Sequence, residues 1–460
     1  MASSPHVVVI PFPAQGHVIP LMELSHRLVE QGFKITFVNT EFNHDRIVAA
    51  CSKMNSDVDA EGIHMVSIPD GLAAGEDRTN LGKLADGFMR VMPGCLEELI
   101  AQSESEGKKI RWVIADENMA WALKVAKKMG IRAICFWAAA AAMLALMMSI
   151  PRMIQSGILD EYGLPRKNEK FQLYPGMPII NTTRLAWNCA GDSDGQKIIF
   201  ELVTTGNQFL EHAEFIICNT FNEIESPTLA VFPNILSVGP LLSVAHFNKH
   251  LGNFWPEDTS CMNWLDEQPA RSVIYVAFGS FTVFDRRQFE ELALGLELSS
   301  RPFLWVVRPD LIADDPTAAW LDDFRERTGG RGRMVDWSPQ KRILAHPSIA
   351  CFVTHCGWNS TLEGLWNGVP FLCWPYFTDQ FLNQIYICDV WKTGLTLEPD
   401  DGGRLISRER IKGKLEELLG DEGIKARALA LRDKARRSVV GGGSSHKNLE
   451  RVVETMRQEN

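Results

Sequence analysis

The chain has 460 residues, of which 45% are hydrophobic and 23% charged, and its formal net charge is −10. This length exceeds what a single hydrophobic core usually serves, so two domains are predicted. The composition is typical of a globular protein. The acidic charge argues against nucleic acid or an anionic membrane as the main partner, because both are negatively charged.

The cysteines and the N-terminus indicate the cellular compartment. Ten cysteines are scattered without a C-x-x-C pair, most of them within apolar runs. This usage is typical of buried, reduced cysteines in a cytosolic protein. The N-terminus lacks the basic start and the long apolar stretch of a signal peptide. The apolar run 133–150 is interpreted as a buried strand followed by a buried helix, so we predict a cytoplasmic chain without a membrane span.

The first half of the chain alternates short β-branched runs with helical patterns. The predicted elements are the strand His6–Ile10, the helix Leu21–Glu30, the strands Lys34–Asn39 and Trp112–Ala115, the helix Ala120–Met129, and the strands Ala133–Trp137 and Phe215–Asn219. Continuous apolar strands separated by helices indicate a parallel sheet that is covered on both faces.

The same alternation restarts in the second half. The predicted elements are the strand Ser272–Phe278, the helix Gln288–Leu298, the strands Phe303–Val307, Met334–Val335 and Ile349–Thr354, a helix beginning near Ser360, the strand Val369–Trp374, and a last helix Asn448–Met456. The pattern therefore predicts a second parallel sheet with helices on both faces.

These patterns predict an α/β fold of two doubly wound parallel-sheet domains in tandem, with a cleft between them. Turn-forming residues between Leu236 and Pro256 mark the break between the domains. We predict an N-terminal domain over 1–240, a linker over 241–256, and a C-terminal domain over 257–440. The final helix, within 445–460, is expected to pack back on the N-terminal domain.

Ligands of such sheets bind beyond the carboxyl ends of the strands. After Ile349–Thr354 comes His355-Cys356-Gly357-Trp358-Asn359-Ser360, in which glycine permits close approach to a helix N-terminus. The unpaired N–H groups there form an anion site. Two structural alternatives stay open: Ser360 and Glu363 fit a helix-capping box, and His355 fits a turn histidine.

The longer stretch from Trp337 to Gln380 resembles the signature box of plant secondary-product UDP-glycosyltransferases, family one of the glycosyltransferases. Its landmarks are Trp337-Ser338-Pro339-Gln340, His346-Pro347, the run from His355 to Ser360, Glu363-Gly364, Gly368-Val369-Pro370, Trp374-Pro375 and Asp379-Gln380. The resemblance is supported by three further segments outside the box, which are Phe12 to His17, Val238-Gly239-Pro240 and Phe278-Gly279-Ser280. It implies a GT-B type fold of two facing, Rossmann-like domains, in which the N-terminal domain over 1–240 binds the acceptor and the C-terminal domain over 257–440 binds the UDP-sugar.

The resemblance also implies a donor site. The implied roles are uracil stacking for Trp337, ribose binding for Gln340 and Glu363, diphosphate binding for Ser280, His355, Asn359 and Ser360, and sugar binding for Asp379 and Gln380 with Trp358 nearby. A flat aromatic ring suits a base. In the family, glutamine at the position of Gln380 goes with glucose, so UDP-glucose is the expected donor.

Transfer to an alcohol requires a base, and histidine titrates near neutrality. His17 follows the first strand and precedes a helix, although a capping or surface histidine would occupy the same place. A carboxylate behind the base would orient it, and Asp116 follows the strand Trp112–Ala115, with Glu117 as its neighbour. The resemblance implies that His17 is the base and Asp116 its partner, and it implies an inverting reaction.

The acceptor pocket is expected in the first half. Candidate lining residues, each of which also suits a plain core, are Phe88, Phe136, Met143, Leu185, Trp187 and Phe200. An apolar pocket with methionine suits flavonoids, other phenolics or terpenoids. One departure from the family concerns Ala138, because many relatives carry a sugar-binding Thr or Ser there.

Other readings are less consistent with the residues. A nucleotide-dependent oxidoreductase would carry G-x-G-x-x-G in the first strand–helix turn, which reads Pro11-Phe12-Pro13-Ala14-Gln15-Gly16-His17. A binding protein without catalysis has no need of both His17 and Asp116. The spacing of Cys351, Cys356, His346 and His355 matches no zinc site. We therefore predict a monomeric enzyme without a metal or cofactor, whose partners are a UDP-sugar and a small acceptor.

Overall fold

The computed structural model describes residues 4–458 except 55–56, 58–60, 190–192, 243–251, 309–310, 312–317, 400–402 and 404. The chain divides into two compact units. Unit 1 comprises Met1–Trp255, Phe377–Asp379 and Arg437–Asn460, and unit 2 comprises Pro256–Tyr376 and Gln380–Arg436.

Unit 1 is built on a seven-stranded sheet with the order β3-β2-β1-β4-β5-β8-β9, and its paired strands are parallel. The strands are β1 (His6–Ile10), β2 (Lys34–Thr40), β3 (Ile63–Ile68), β4 (Ile110–Asp116), β5 (Arg132–Trp137), the small antiparallel pair β6 (Lys170–Phe171) and β7 (Ile180–Asn181), β8 (Phe215–Cys218) and β9 (Ile235–Ser237). The α-helices are α1 (Gln15–Glu30), α2 (Glu41–Lys53), α3 (Leu81–Ser105), α4 (Trp121–Lys128), α5 (Ala141–Met148), α6 (Ile150–Gln155), α7 (Ser193–Phe209) and α8 (Asn222–Val231). A final helix of the chain, α17 (Ser444–Arg457), also belongs to this unit.

Unit 2 is built on a six-stranded parallel sheet with the order β12-β11-β10-β13-β14-β15. The strands are β10 (Val273–Ala277), β11 (Phe303–Val306), β12 (Gly332–Val335), β13 (Ile349–Thr354), β14 (Phe371–Cys373) and β15 (Gly394–Thr396). The α-helices are α9 (Ser260–Asp266), α10 (Arg286–Leu298), α11 (Ala318–Thr328), α12 (Gln340–Leu344), α13 (Trp358–Asn367), α14 (Gln380–Ile385), α15 (Arg408–Gly420) and α16 (Glu422–Ser438), whose last two residues fall in unit 1.

The start of α1 differs from the sequence-based prediction. The amphipathic pattern predicted the helix over Leu21–Glu30, but the helix begins at Gln15 and contains Pro20 within it. His17 is consequently the third residue of the helix rather than part of a preceding loop. The elements α2, β3 and α3 were not predicted; α3 contains Pro93, which argues against a continuous helix in the sequence.

The core of unit 1 includes the last helix. Val452, Val453 and Met456 of α17 are buried in the same apolar cluster as Val7, Val9 and the other inward residues of β1, β2 and β4. Trp112 Nε1 donates a 3.1 Å hydrogen bond to the backbone oxygen of Met456. The last helix thus covers one face of the sheet in unit 1.

The predicted linker is only partly described. Residues 243–251 lie outside the described part of the chain, whereas Phe254 is buried in unit 1. The Gln15 side chain donates to the backbone oxygen of Gly252 at 3.3 Å and accepts from the Phe254 N–H at 2.8 Å. These bonds fix Gly252 and Phe254 to the first residue of α1.

The apolar run 133–150 contains the end of β5 and all of α5, as the sequence indicates. Among the described residues, no helix combines the length and apolarity needed to span a bilayer. Seven of the eight residues of α5, from Ala141 to Met147, are buried, and Ala141 and Ala142 are 0% exposed, so the first N–H groups of the helix have no access to water. Glu225 of α8 solves this problem, because its carboxylate accepts from the N–H groups of Ala141 and Ala142 at 2.9 and 2.8 Å and also from Thr220 Oγ1.

We expect Glu225→Ala to destabilise unit 1. The substitution leaves two buried N–H groups and one hydroxyl without an acceptor, which costs about 2–4 kcal/mol. The thermal unfolding midpoint, measured by circular dichroism, should fall by roughly 5–10 °C. Glu201→Ala, on the exposed face of α7, is the matched control and should leave the midpoint unchanged; equal midpoints for the two variants would contradict the capping role.

Candidate active site

A histidine and an aspartate meet at the carboxyl edge of the sheet in unit 1. Strands β1 and β4 are neighbours, with Val9 opposite Ile114 and Ile10 opposite Ala115, so the chain leaves both strands at the same edge. His17 Nδ1 lies 2.7 Å from Asp116 Oδ2. The Asp116 side chain is fully buried, whereas that of His17 is 24% exposed.

Asp116 is itself held in place by the turn that follows it. Its Oδ1 accepts hydrogen bonds from the backbone N–H of Asn118 at 3.0 Å and from Asn118 Nδ2 at 3.1 Å. Each carboxylate oxygen therefore has a defined partner, and the His17 proton belongs on Nδ1. The Nε2 atom then carries the lone pair and is the basic atom of the ring. Sequence reasoning missed Asn118, whose only signal was its position two residues after the aspartate.

The charge of Asp116 sets the proton affinity of His17. Burial lowers the pKa of His17, but the negative charge and hydrogen bond of Asp116, with a smaller contribution from the charge of Asp379, together raise it above the ordinary value of 6.5. The imidazolium form is stabilised because it stands beside a buried carboxylate.

The neighbouring acid, Glu117, has a different environment. Its side chain is buried, and within the described part of the chain its Oε1 has no hydrogen-bond partner. Burial and the nearby charge of Asp116 raise the pKa of Glu117 to about 8, so this carboxyl is mostly neutral at pH 7. The structure therefore places Asp116, and not Glu117, in contact with the histidine.

Two phenylalanine rings adjoin the histidine. The Phe12 ring lies 5.1 Å from the His17 ring, and Phe88 of α3 packs edge-on against Phe12 at 5.9 Å. Phe88, a predicted acceptor-pocket residue, is thus separated from His17 by a single ring. Phe12 was not singled out as a pocket residue, although it stands in the loop that leads to His17.

The other predicted pocket residues are all buried. Phe136 belongs to the main core of unit 1, and Met143 lies within the enclosed helix α5. The Trp187 ring lies 6.1 Å from that of Phe200, and Leu185 is buried nearby in the sequence. The structure brings Trp187 and Phe200 together, and it makes Phe136 a core residue.

In unit 2, His355 follows β13 and stands between two glycines. A Cβ atom built on Gly279 or on Gly357 would lie 2.5 Å from His355 Nε2, so neither position has room for a side chain. Burial lowers the pKa of His355 to about 4; a hydrogen bond to the Ala277 backbone opposes this effect and the charge of Arg308 adds to it. His355 is therefore neutral at pH 7, so a hydrogen bond that it donates comes from an uncharged ring.

Helix α13 begins at Trp358 with Gly357 as its N-cap. The alternative of a capping box formed by Ser360 and Glu363 is wrong, because Ser360 is already the third residue of the helix. Both side chains instead accept hydrogen bonds from Gln340 Nε2, at 2.9 Å to Ser360 Oγ and 2.7 Å to Glu363 Oε2. Tyr275 of β10 donates to Gln340 Oε1 at 3.1 Å and so fixes the amide orientation.

The remaining donor-site candidates occupy different environments. Three of them are partly exposed: Trp337 follows β12, Asn359 lies at the start of α13, and Ser280 follows β10. Trp358 is buried, with its ring 6.3 Å from that of Trp391. Gln380 is buried at the start of α14, where its Oε1 accepts from the Tyr376 N–H at 2.8 Å. Asp379 Oδ1 accepts from Thr378 Oγ1 at 3.1 Å.

Two further residues near this edge were missed from the sequence. Thr282 is 1% exposed, and its hydroxyl has no partner within the described residues. Arg308, two residues after β11, is 2% exposed. Their positions after β10 and β11 were the available signal, since residues that follow parallel strands line ligand sites.

His346 is one of four residues, with Cys351, Cys356 and His355, whose spacing in the sequence matches no zinc site. His346 bonds Ser348 Oγ at 2.7 Å and Asp266 at 3.1 Å. In the part of the chain that the structure describes, no three His, Cys, Asp or Glu side chains are grouped so as to hold a metal ion.

Comparison with known proteins gives consistent results. Residues 198–433 match the family described as UDP-glucoronosyl and UDP-glucosyl transferase. The chain is 44% identical to UDP-glycosyltransferase 83A1 of Arabidopsis thaliana, with 98% of this chain and 96% of the relative covered. It is 34% identical to the (R)-mandelonitrile beta-glucosyltransferase of Prunus dulcis, with the same coverage.

Solved structures show the same architecture. A UDP-glucosyltransferase from Polygonum tinctorium capable of glucosylating indoxyl superposes with a TM-score of 0.83 at 27% identity, covering 100% of both chains. Os79 from O. sativa, solved in complex with UDP, gives a TM-score of 0.80 at 25% identity, covering 98% of this chain and 100% of that one.

The two parallel-sheet α/β units are those of a GT-B glycosyltransferase. The chain belongs to the plant UDP-glycosyltransferases, family one of the glycosyltransferases. It is accordingly an enzyme that uses a UDP-sugar donor.

We expect Asp116→Asn to lower the pKa of His17. Removing the negative charge destabilises the imidazolium form while burial continues to oppose it, so the titration midpoint should move to lower pH. The wild-type midpoint should lie above 6.5. NMR of histidine-labelled protein measures both midpoints, with the His17 signal assigned by its loss in His17→Gln.

The matched control for this titration is Asp266→Asn, which removes the carboxylate beside His346. This variant should leave the His17 midpoint unchanged. If Asp116→Asn also left it unchanged, Asp116 would not be the group that raises the pKa of His17.

Proposed function

We propose that the protein is an inverting glucosyltransferase that moves glucose from UDP-glucose to a hydroxyl of a small apolar plant metabolite. The acceptor class is a flavonoid, another phenolic or a terpenoid, and the product is a β-glycoside. The observation that carries the proposal is the 2.7 Å bond between His17 Nδ1 and the buried Asp116, because it leaves Nε2 as the basic atom at an accessible edge of unit 1.

In the proposed reaction, His17 Nε2 takes the proton of the acceptor hydroxyl as its oxygen attacks the anomeric carbon of glucose. The bond from that carbon to the UDP oxygen breaks, and its electron pair leaves with UDP. Attack opposite the leaving group inverts the configuration, so the α-linked sugar of the donor becomes β-linked. Asp116 stabilises the imidazolium that forms, since a nearby negative charge favours the protonated ring.

Unit 2 offers groups suited to the donor. Glu363 and Gln340 form a fixed pair whose oxygens suit ribose hydroxyls, and partly exposed Trp337 offers a flat face for uracil. The first N–H groups of α13, beside neutral His355, suit the diphosphate. We assign Asn359, Ser360 and Ser280 to the same diphosphate.

The sugar is proposed to be held by Asp379 and Gln380, with Trp358 close by. The Gln380 carbonyl oxygen is engaged by the Tyr376 N–H, which orients the amide NH2 group as a donor to a sugar hydroxyl. The Prunus relative is named a beta-glucosyltransferase, which supports glucose as the sugar here. Ala138, which is 3% exposed, supplies no hydroxyl where many relatives have one.

An apolar acceptor is supported by the rings beside His17. Phe12 and Phe88 form an aromatic pair next to the proposed base, and such rings favour flat, apolar compounds. We further propose that the enzyme is a cytoplasmic monomer that needs neither a metal nor a cofactor, because hydrogen-bond donors and a helix N-terminus serve the leaving diphosphate. The nine cysteines whose side chains the structure describes are free thiols, which is consistent with a reducing compartment.

Incubation with a panel of UDP-sugars and small acceptors tests the proposal. With EDTA present, we expect UDP-glucose to give β-glucosides of phenolic or terpenoid alcohols, and UDP-galactose to give at least about ten times less product, which corresponds to about 1.4 kcal/mol. Mass spectrometry measures the product and NMR its anomeric configuration. An α-linked product, or a requirement for a metal, would contradict the proposal.

Replacement of the base provides a second test. His17→Ala should lower kcat/KM by at least about 100-fold, because general-base catalysis typically contributes 10²–10⁴-fold. Binding of UDP, measured by calorimetry, should be unchanged, since His17 is assigned only to the acceptor. His64→Ala, which alters an exposed histidine of β3, is the control and should keep full activity; wild-type turnover in His17→Ala would refute the mechanism.

A further inference from the structure

The carboxyl end of β11 carries a buried cation to which the mechanism above gives no role. Arg308 is 2% exposed. Its Nη1 donates to the backbone oxygen of Ser280 at 2.9 Å, and its Nη2 donates to that of Thr282 at 2.7 Å. One guanidinium therefore holds two carbonyl groups of the segment 280–282, which follows β10.

This segment borders the proposed diphosphate site. Gly279, directly before it, is the residue whose missing Cβ leaves room for His355 Nε2. Arg308 bonds the backbone oxygen of Ser280, the residue next to Gly279, and its positive charge contributes to lowering the pKa of His355. Arg308 and His355 therefore both adjoin the residues that follow β10, with His355 beside Gly279 and Arg308 bonded to Ser280.

The pattern of bonds has a consequence for the backbone of the segment. Because a trans peptide group is planar, the N–H on the far side of each bonded carbonyl points away from Arg308. These are the N–H groups of Phe281 and Val283. The Thr282 hydroxyl, buried and without a partner among the described residues, lies on the same short segment.

A buried arginine is a costly way to hold a loop. Desolvation of the guanidinium is a penalty, and a neutral amide could bond carbonyl groups as well. A positive charge becomes useful where an anion binds on the other side of the loop, because charges interact more strongly away from water.

We infer that Arg308 is a positioning residue for the donor diphosphate, which it serves by fixing the 280–282 segment and by adding positive charge behind it. The inference rests on the proposed binding of UDP-glucose by unit 2. Arg308 does not touch the substrate in this account; it acts through Ser280 and Thr282. Lysine cannot replace it fully, because an ammonium group lacks the planar fork that reaches two acceptors.

The test compares ligands with and without the diphosphate in the same variant. Calorimetry measures the Kd of UDP and of uridine for the wild type, Arg308→Met and Arg308→Lys. We expect Arg308→Met to weaken UDP binding by about 10- to 100-fold, as the loss of a buried charge near an anion implies, with uridine binding changed less than about twofold. Arg308→Lys should lie between the wild type and Arg308→Met.

The ratio of the two Kd values separates a diphosphate role from a general structural role. Misfolded protein lowers the number of binding sites for UDP and for uridine equally. The ratio of the two Kd values therefore describes only the molecules that are folded. If Arg308→Met does not fold, Arg308→Lys decides by the same ratio. An unchanged ratio in the variant that folds would overturn the inference.

Arg408 provides the matched control. It is another arginine of unit 2 that bonds a defined partner, the carboxylate of Glu291, and Arg408→Met should leave the UDP-to-uridine ratio at the wild-type value. If wild-type protein failed to bind UDP, the proposed donor site itself would fail, which is a different result from an unchanged ratio in the Arg308 variants.

Discussion

The hydrogen bond between His17 and Asp116 depends on the pairing of β1 with β4. That pairing brings the ends of two strands, separated by about a hundred residues, to one edge of the sheet. The turn at Asn118 then fixes the carboxylate, and the first turn of α1 fixes the imidazole. A shift of β4 by one residue would turn Asp116 to the opposite face of the sheet, because side chains alternate along a strand. The His17–Asp116 bond therefore requires the correct register of the sheet in unit 1 as well as the correct side chains.

Unit 2 handles charge in another way. His355 is neutral, and the first turn of α13 presents N–H groups rather than charged side chains. Arg308 is charged, but it bonds carbonyl oxygens and lies behind the loop. An anion bound here would contact uncharged N–H groups directly, whereas the charge of Arg308 would act on it from the other side of the 280–282 segment.

The sequence predicted the two sheets well, because buried parallel strands are continuous apolar runs. His6–Ile10 and Ile349–Thr354 match to the residue. The helices were predicted less well: α1 begins six residues before the predicted start, and α3 was not predicted. Pro20 and Pro93 lie inside these two helices, although a proline in a helix interior usually breaks the helix. Asp116 was identified by its place after a strand together with the family pattern. Asn118, Thr282 and Arg308 belong to no sequence motif, and only their positions shortly after β4, β10 and β11 mark them. The bonds from Arg308 to the backbone oxygens of Ser280 and Thr282 join residues 26 to 28 positions apart, so only the structure reveals them.

The return of α17 to unit 1 has a consequence for synthesis on the ribosome. The side chains of Val452, Val453 and Met456 complete a core whose other members lie mostly within the first 255 residues. About 180 residues of unit 2 are translated in between, which takes roughly 10–40 s at typical elongation rates. Throughout that interval Trp112 and its neighbours lack their final cover, so the nascent chain exposes an apolar groove that chaperones can bind.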